Sequence, residues 1–414
     1  MRTSFYPAVH ELERRARALA HTAPGTLSLR AVGESRAGRP LWLLSAGHGD
    51  RQILTVAGAH ANEPVGGASA LRLAALLARR PGILQDLGCT WHFLLCLDPD
   101  GAALAHGWQP EEPTPSLTEC HRHFYRPAFA HQPESLNPTD PLPESAALVR
   151  LLDELRPVAQ FTLHGIEFGG AFAMMTHQVP GAADAFRATA ARLRIPVDHH
   201  PVDGPDWHLA PPGVLVLPAD HGGAERDPSG YVAESTWLHP RRHGTLTTLI
   251  ETPAWAVPAV ADRTPVTDPD RATARLGEVL LGRCAELAAV LGRRLDTAVP
   301  EELAPLGDAA RELLDVAPSL VESWAAEQPG LFRGYFASRG ISVRRIPLRV
   351  AAMAGRALAR TDPGAAEALD GLMAEWGREL TKTYDLAWVP VAAQTGLHVR
   401  TMLSTARLVC ERGG

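Results

Sequence analysis

The residues of this sequence best suited to chemistry are a histidine and a glutamate three positions apart, His60 and Glu63, in the run Gly58-Ala59-His60-Ala61-Asn62-Glu63. Imidazole and carboxylate are donors that a catalytic zinc ion takes from protein, three in all, with a fourth position left to water. His164, in Leu163-His164-Gly165, can complete the set. Zinc lowers the pKa of its bound water to about 7, so hydroxide becomes available at neutral pH. Hydrolysis also needs a carboxylate that takes a proton from that water and returns it to the leaving nitrogen. Glu251, in Ile250-Glu251-Thr252-Pro253, has the type and the placement for that task.

Each piece has a plainer explanation. H-x-x-E runs arise by chance, a lone histidine is more often a hydrogen-bonded core residue, and a glutamate closing an apolar strand can cap or pair. The metal reading is stronger because all three segments close predicted strands. Residues 53–57, 160–163 and 245–250 are short apolar runs of strand length. In open α/β sheets, ligands bind outside the carboxyl ends of the strands, so all three segments can face one crevice.

The elements around these strands alternate. Helical spacing marks 8–20, 65–79, 146–155 and 182–193, and strand-like runs mark 27–32, 41–45 and 90–97. This alternation predicts an α/β fold, a mainly parallel mixed sheet flanked by helices. Residues 102–144 and 199–243 show no clean period, and irregular insertions of that length are usually functional loops. Past a Pro-rich passage the pattern turns helical, over 272–295, 301–326, 347–360 and 364–382, with one strand signal at 386–391. The sequence therefore divides into a catalytic domain, 1–264, and a mainly helical C-terminal domain, 265–414.

Composition narrows the function classes. With 45% hydrophobic and 21% charged residues, the chain is ordinary globular protein. A net charge of -6 gives no electrostatic reason to expect nucleic acid or a membrane as partner. The N-terminus has no apolar segment of the secretory kind, and no run is long enough to span a bilayer. Five scattered cysteines without a C-x-x-C suit a reducing compartment, so the cytoplasm is the expected location.

Taken together the motifs resemble the zinc carboxypeptidase family, the carboxypeptidase A-like metallopeptidases, over roughly residues 5–256. An amphipathic helix at 8–20 precedes Gly33-Glu34-Ser35-Arg36-Ala37-Gly38-Arg39-Pro40, similar to the family's G-x-S-x-x-G-R-P hairpin. Asp98-Pro99-Asp100-Gly101 resembles its N-P-D-G turn, and the order of H-x-x-E, turn, strand-end His and strand-end Glu is kept. The resemblance implies one zinc ion held by His60, Glu63 and His164, Glu251 as general base, and a peptide or small amide as substrate. It also implies arginines between the second and third ligands. Arg122 is the preferred oxyanion partner, and Arg126 the partner of a substrate carboxylate. Tyr231 falls near the family's substrate-capping tyrosine.

One departure bears on specificity. The family's carboxylate clamp is an adjacent Asn-Arg pair, and here neither asparagine, Asn62 or Asn137, precedes an arginine. An amidase or deacylase of a small acylated amino acid or biosynthetic intermediate therefore stays open beside a carboxypeptidase. A non-catalytic binding or scaffold module is disfavoured by the complete ligand set. His48-Gly49-Asp50 lacks a carboxylate at metal spacing. His121, His123, His199, His200 and His221 can form a second metal site or border the cleft, and the second is preferred. Gly169-Gly170 suits close backbone approach. The C-terminal helices are open to three uses: covering the cleft, forming a homo-oligomer, or docking a partner.

Overall fold

The computed structural model describes residues 5–105, 115–137, 140–202, 208–209, 212–217, 235–326 and 332–411. Its strands are β1 (Leu27–Glu34), β2 (Pro40–Ala46), β3 (Arg51–Ala57), β4 (Cys89–Leu94), β5 (Ala159–Gly169), β6 (Phe172–Met175), β7 (His208–Leu209), β8 (Val214–Val216), β9 (Leu246–Ala256) and β10 (Ala387–Trp388). They form one sheet in the order β1-β2-β4-β3-β5-β9-β6-β8-β7, with β10 paired to β9. The central strands β4, β3, β5 and β9 are parallel, and antiparallel pairs flank them. The sheet is thus mixed, parallel where the predicted site strands lie, as the alternation of elements implies.

The helices before the sheet is complete are α1 (Val9–Thr22), α2 (Val65–Arg79), α3 (Gly82–Leu87), α4 (Pro99–Leu104), α5 (Leu117–Arg122), α6 (Pro143–Leu155) and α7 (Ala182–Leu193). After β9 come α8 (Pro269–Leu291), α9 (Arg294–Thr297), α10 (Ala304–Ala326), α11 (Arg333–Leu358), α12 (Pro363–Thr383) and α13 (Val391–Cys410). Helices cover both faces of the sheet, which explains why β3 is apolar along its length. Ile53 and Ala57 enter one core cluster, and Leu54 and Val56 another on the opposite face.

The hairpin and the Asp-Gly turn singled out in the sequence are partners. Ser35 Oγ donates to Asp100 Oδ1 at 2.8 Å, the Ala37 N–H to Asp100 Oδ2 at 2.8 Å, and Arg39 pairs with Asp100 at 2.6 Å. Asp98 caps α4 by accepting from the Gly101 N–H, while its own N–H donates to Gly58 O. These bonds tie both motifs to the turn that carries His60.

The C-terminal segment is not set apart from the sheet. Leu397, Val399, Met402 and Ala406 of α13 join the core cluster of Ile53, Phe161 and Phe186. A cut at residue 265 would remove α13 and β10 from the sheet they complete. Only Ala387–Trp388 of the strand expected at 386–391 is extended, and the chain turns into α13 at Val391. The helix expected at 347–360 starts fourteen residues earlier, at Arg333.

The longer helix α11 escapes a polarity reading because three of its arginines, Arg339, Arg345 and Arg349, are buried with partners. Arg349 holds Glu167 through Nε at 2.8 Å and Nη2 at 2.6 Å, and it lies 5.0 Å from the Phe124 ring. Burial alone would raise the Glu167 carboxyl, but Arg349 and then Arg345 hold it at about 2. Its stabilising effect is therefore complete above the ordinary glutamate range and is lost as pH falls toward about 2. Arg349→Met leaves a buried carboxylate short of its main partner and is expected to cost about 3 kcal/mol. Thermal unfolding at neutral pH checks this, and a midpoint within a degree of the parent would contradict it.

Candidate active site

His60 lies three residues past the end of β3, in a turn that leads into α2. Gly58 makes the bend with φ +60°, and a Cβ there would lie 2.9 Å from Cys96 Sγ. Gly66 lets α2 approach β5, since its Cβ would fall 2.9 Å from Leu163 O. The turn thereby carries Glu63 to His164 on the adjacent strand. His164 itself follows Leu163, which pairs with Ala57 of β3.

Three donor atoms converge at this point. His60 Nδ1 is 2.9 Å from Glu63 Oε1, His164 Nδ1 is 2.9 Å from Glu63 Oε2, and the two Nδ1 atoms are 3.2 Å apart. All three residues are buried. In a tetrahedral zinc site with ligands about 2.1 Å from the ion, donors sit about 3.4 Å from one another. The observed spacings, slightly shorter, fit such a centre, and so does the donor set. Among the described residues, His60, Glu63 and His164 are the one such group of side chains.

Nδ1 donors imply that the ring protons sit on Nε2, and the acceptors around His164 Nε2 agree, whereas His60 Nε2 faces both Glu134 and the Arg126 guanidinium. His164 Nε2 lies 3.1 Å from Thr162 Oγ1 and 3.4 Å from Glu134, and His60 Nε2 lies 3.7 Å from Glu134. The Glu134 contacts are charge contacts rather than well-aligned hydrogen bonds. A carboxylate behind ligating histidines orients the rings and strengthens them as donors. Glu134 is fully buried, held by a Thr236 N–H donating to its carbonyl and by a bridge between Ser135 and Ser235. Sequence reasoning missed it, because a single acid in an aperiodic segment carries no spacing signal.

The electrostatics favour a cation. Burial would raise the Glu63 carboxyl, yet His60 and His164 hold it well below the usual range. Burial and then Arg126 push His60 down, so its ring stays neutral. His164 is raised, because Glu134 and Glu63 outweigh burial. A metal ion held there would take the place of that proton, since a ligand must be deprotonated.

The remaining expected residues fall into three groups. Glu251 of β9 is paired in register with His164 of β5, so the two side chains leave neighbouring parallel strands on the same face. Arg126 also reaches the centre, with Nη1 3.9 Å from Glu63 Oε1 and Nη2 3.4 Å from both His60 Nε2 and Gln132 Oε1. Arg122 does not. Its exposed guanidinium is held by Asp370, at 3.2 and 3.1 Å, and by Glu119 at 3.0 Å. Tyr231 and His221 lie outside the described residues.

The other histidines have ordinary surroundings. His121 is buried, bonds Leu117 O at 2.9 Å and stacks between Phe124 and Phe168. His200 packs on Phe332 and Tyr335, and His123 faces Glu119 at 3.4 Å. Phe124 and Trp255, which line the cavity beside His60 and Glu63, pack with Leu287, Met353 and Trp376 of α8, α11 and α12, so the C-terminal helices wall one flank.

Comparison with known proteins agrees with the motifs. The zinc carboxypeptidase family model matches residues 12–167, which bears out the resemblance. Similar solved structures include a candidate metallopeptidase from Shewanella denitrificans, at 15% identity and TM-score 0.43, covering 59% of this chain and 81% of that one. A metallo-carboxypeptidase from Burkholderia cenocepacia gives 15% and 0.39, covering 59% and 60%. The carboxypeptidase A of Helicoverpa armigera gives 14% and 0.39, covering 60% and 65%. No curated protein matches the sequence.

Proposed function

We propose that this chain, whose first part is zinc-carboxypeptidase-like in sequence, is a zinc-dependent hydrolase of a peptide or peptide-like amide. One observation carries the reading: His60 Nδ1, Glu63 and His164 Nδ1 meet at spacings of 2.9, 3.2 and 2.9 Å. Zinc bound there supplies a Lewis acid and a water whose pKa is lowered to about 7. The chain's own residues do the rest. Glu134 orients both imidazoles. Glu251 accepts the proton of the attacking water at its carboxylate and delivers it to the leaving nitrogen. Arg126, not Arg122, donates to the oxygen that gains charge as the carbonyl is attacked.

A role for Arg126 as oxyanion partner makes a contrast that can be measured. Arg126→Ala is expected to lower turnover by about a hundredfold with zinc content unchanged. Arg122→Ala is expected to leave kinetics within about twofold, since an exposed ion pair is worth little. Equal effects from the two variants would remove Arg126 from this role.

The substrate is the finer question. Asn137 is followed by Pro138, not arginine, so the family's Asn-Arg clamp has no counterpart in the sequence. Short peptides and N-acylated amino acids, each with a free or an amidated carboxylate, separate the readings. Preference for the free carboxylate supports a carboxypeptidase, and indifference supports an amidase or deacylase. Hydrolysis of none of them would set the amide reading aside. No described helix is long and apolar enough to cross a membrane, and all five cysteines are free thiols, which supports the cytoplasm as the proposed location.

A further inference from the structure

A second cleft lies between α1, α2 and α13, on the helical layer that covers the sheet. Its volume is about 610 Å³, and it shares no residue with the cavity beside His60 and Glu63. Five arginines line it: Arg15, Arg72, Arg79, Arg80 and Arg400. No carboxylate does, although the whole chain has a net charge of -6. Between the arginines the lining is apolar, with Leu19, Leu71 and Leu76 from α1 and α2 and Val399 and Leu403 from α13.

The charges in this cleft are poorly compensated. Arg15 reaches Glu11 at 3.8 Å and its guanidinium lies 4.5 Å from the Phe5 ring, while its Nε is buried without a hydrogen-bond partner. Arg72 is fixed by neutral oxygens only, Ala392 O and Thr395 Oγ1, both at 2.6 Å. Arg400 lies close enough to Arg72 to add to the lowering of its pKa, which burial begins. Among the described residues, Arg79, Arg80 and Arg400 form no ion pair. Guanidinium groups pair bidentately with carboxylate and phosphate oxygens, so a cleft of this kind is complementary to an anion. The apolar lining adds a requirement that a bare inorganic ion cannot meet.

We propose that this cleft binds an amphiphilic anion of small-molecule size, a carboxylate or phosphate head on an apolar body. Its volume falls within the span of about 300–1,000 Å³ common to small-molecule sites. No aromatic side chain lines it, so it lacks the stacking platform that single-stranded nucleic acid uses. The arginines ring a recess between helices and do not form the flat basic face that a membrane surface would meet. The site is separate from the metal centre, which sits at the opposite, N-terminal end of α2.

Calorimetric titration of the full chain with monomeric dodecyl phosphate tests the proposal, with inorganic phosphate and dodecanol as the two half-ligands. One saturable site per chain is expected, with each half-ligand at least tenfold weaker and affinity falling as salt is raised. Arg400 is exposed, so Arg400→Glu should fold normally and weaken dodecyl phosphate at least tenfold. Arg79→Glu should act in the same direction, and neither variant should alter zinc content. Absence of saturable binding, equal binding by inorganic phosphate or by dodecanol, or undiminished binding in both variants would overturn the proposal. Binding to anionic phospholipid vesicles without binding of the monomer would overturn it in favour of a membrane surface.

Discussion

Glu251→Gln should retain the metal and lose turnover by about a thousandfold, the middle of the range for a general acid-base group. The glutamine keeps the size of the side chain and removes its capacity to accept a proton. Placement argues for so large an effect, because Glu251 stands in register with His164 across β5 and β9. A proton acceptor on the strand next to a metal ligand, on the same face, is placed where it could serve a water held at such a centre. Steady-state kinetics with zinc measured on the same samples separates the two roles. Loss of metal together with activity would make Glu251 part of the metal centre, and turnover within about tenfold of the parent would remove it from the chemistry.

A second substitution is expected to act further upstream. His164→Ala removes one of three donors and leaves Glu63 and Glu134, both buried, facing a cavity without the cation that balanced them. The variant should hold zinc far less tightly and hydrolyse amides no faster than buffer. Excess zinc should restore little, because two ligands on one turn do not close a tetrahedral site. Circular dichroism keeps this distinct from unfolding, since β5 is buried along most of its length and the sheet does not depend on the imidazole. Full activity in His164→Ala would end the assignment of the centre.

The parts of this molecule that could be read from sequence are those whose signals are local. The helices α1, α2, α6 and α7 and the strands β1 to β4 follow their hydrophobic periods to within a few residues. The group of His60, Glu63 and His164 was legible for a related reason. A histidine and a glutamate three apart, just past an apolar run, need only one turn to place them. The hairpin and the Asp-Gly turn were legible as motifs, but their mutual bonds through Ser35, Arg39 and Asp100 are tertiary and have no signature in either segment alone.

What was not legible depends on burial of polar groups. The helix α13 buries Gln394, Thr395, His398, Thr401 and Thr405 beside its apolar residues, so its apolar stripe is interrupted and no element is expected from the sequence beyond residue 391. The first half of α11 contains Arg339 and Arg345, residues that argue against a buried helix until their ring and carboxylate partners are known. The different surroundings of Arg122 and Arg126 were hidden for the same reason. Both lie in one short basic run, and only folding shows that Asp370, some 250 residues away in sequence, holds the first while the second turns toward His60. Glu134 was hidden because its meaning comes entirely from the two imidazoles it backs.

The central claim is that His60, Glu63 and His164 hold a zinc ion that the hydrolysis requires. Elemental analysis of the purified chain, paired with turnover before chelation, after chelation and after zinc is returned, tests it most directly. One zinc per chain is expected, with hydrolysis lost on chelation and recovered on zinc addition. A chain that carries no stoichiometric zinc and shows no affinity for it would contradict the account.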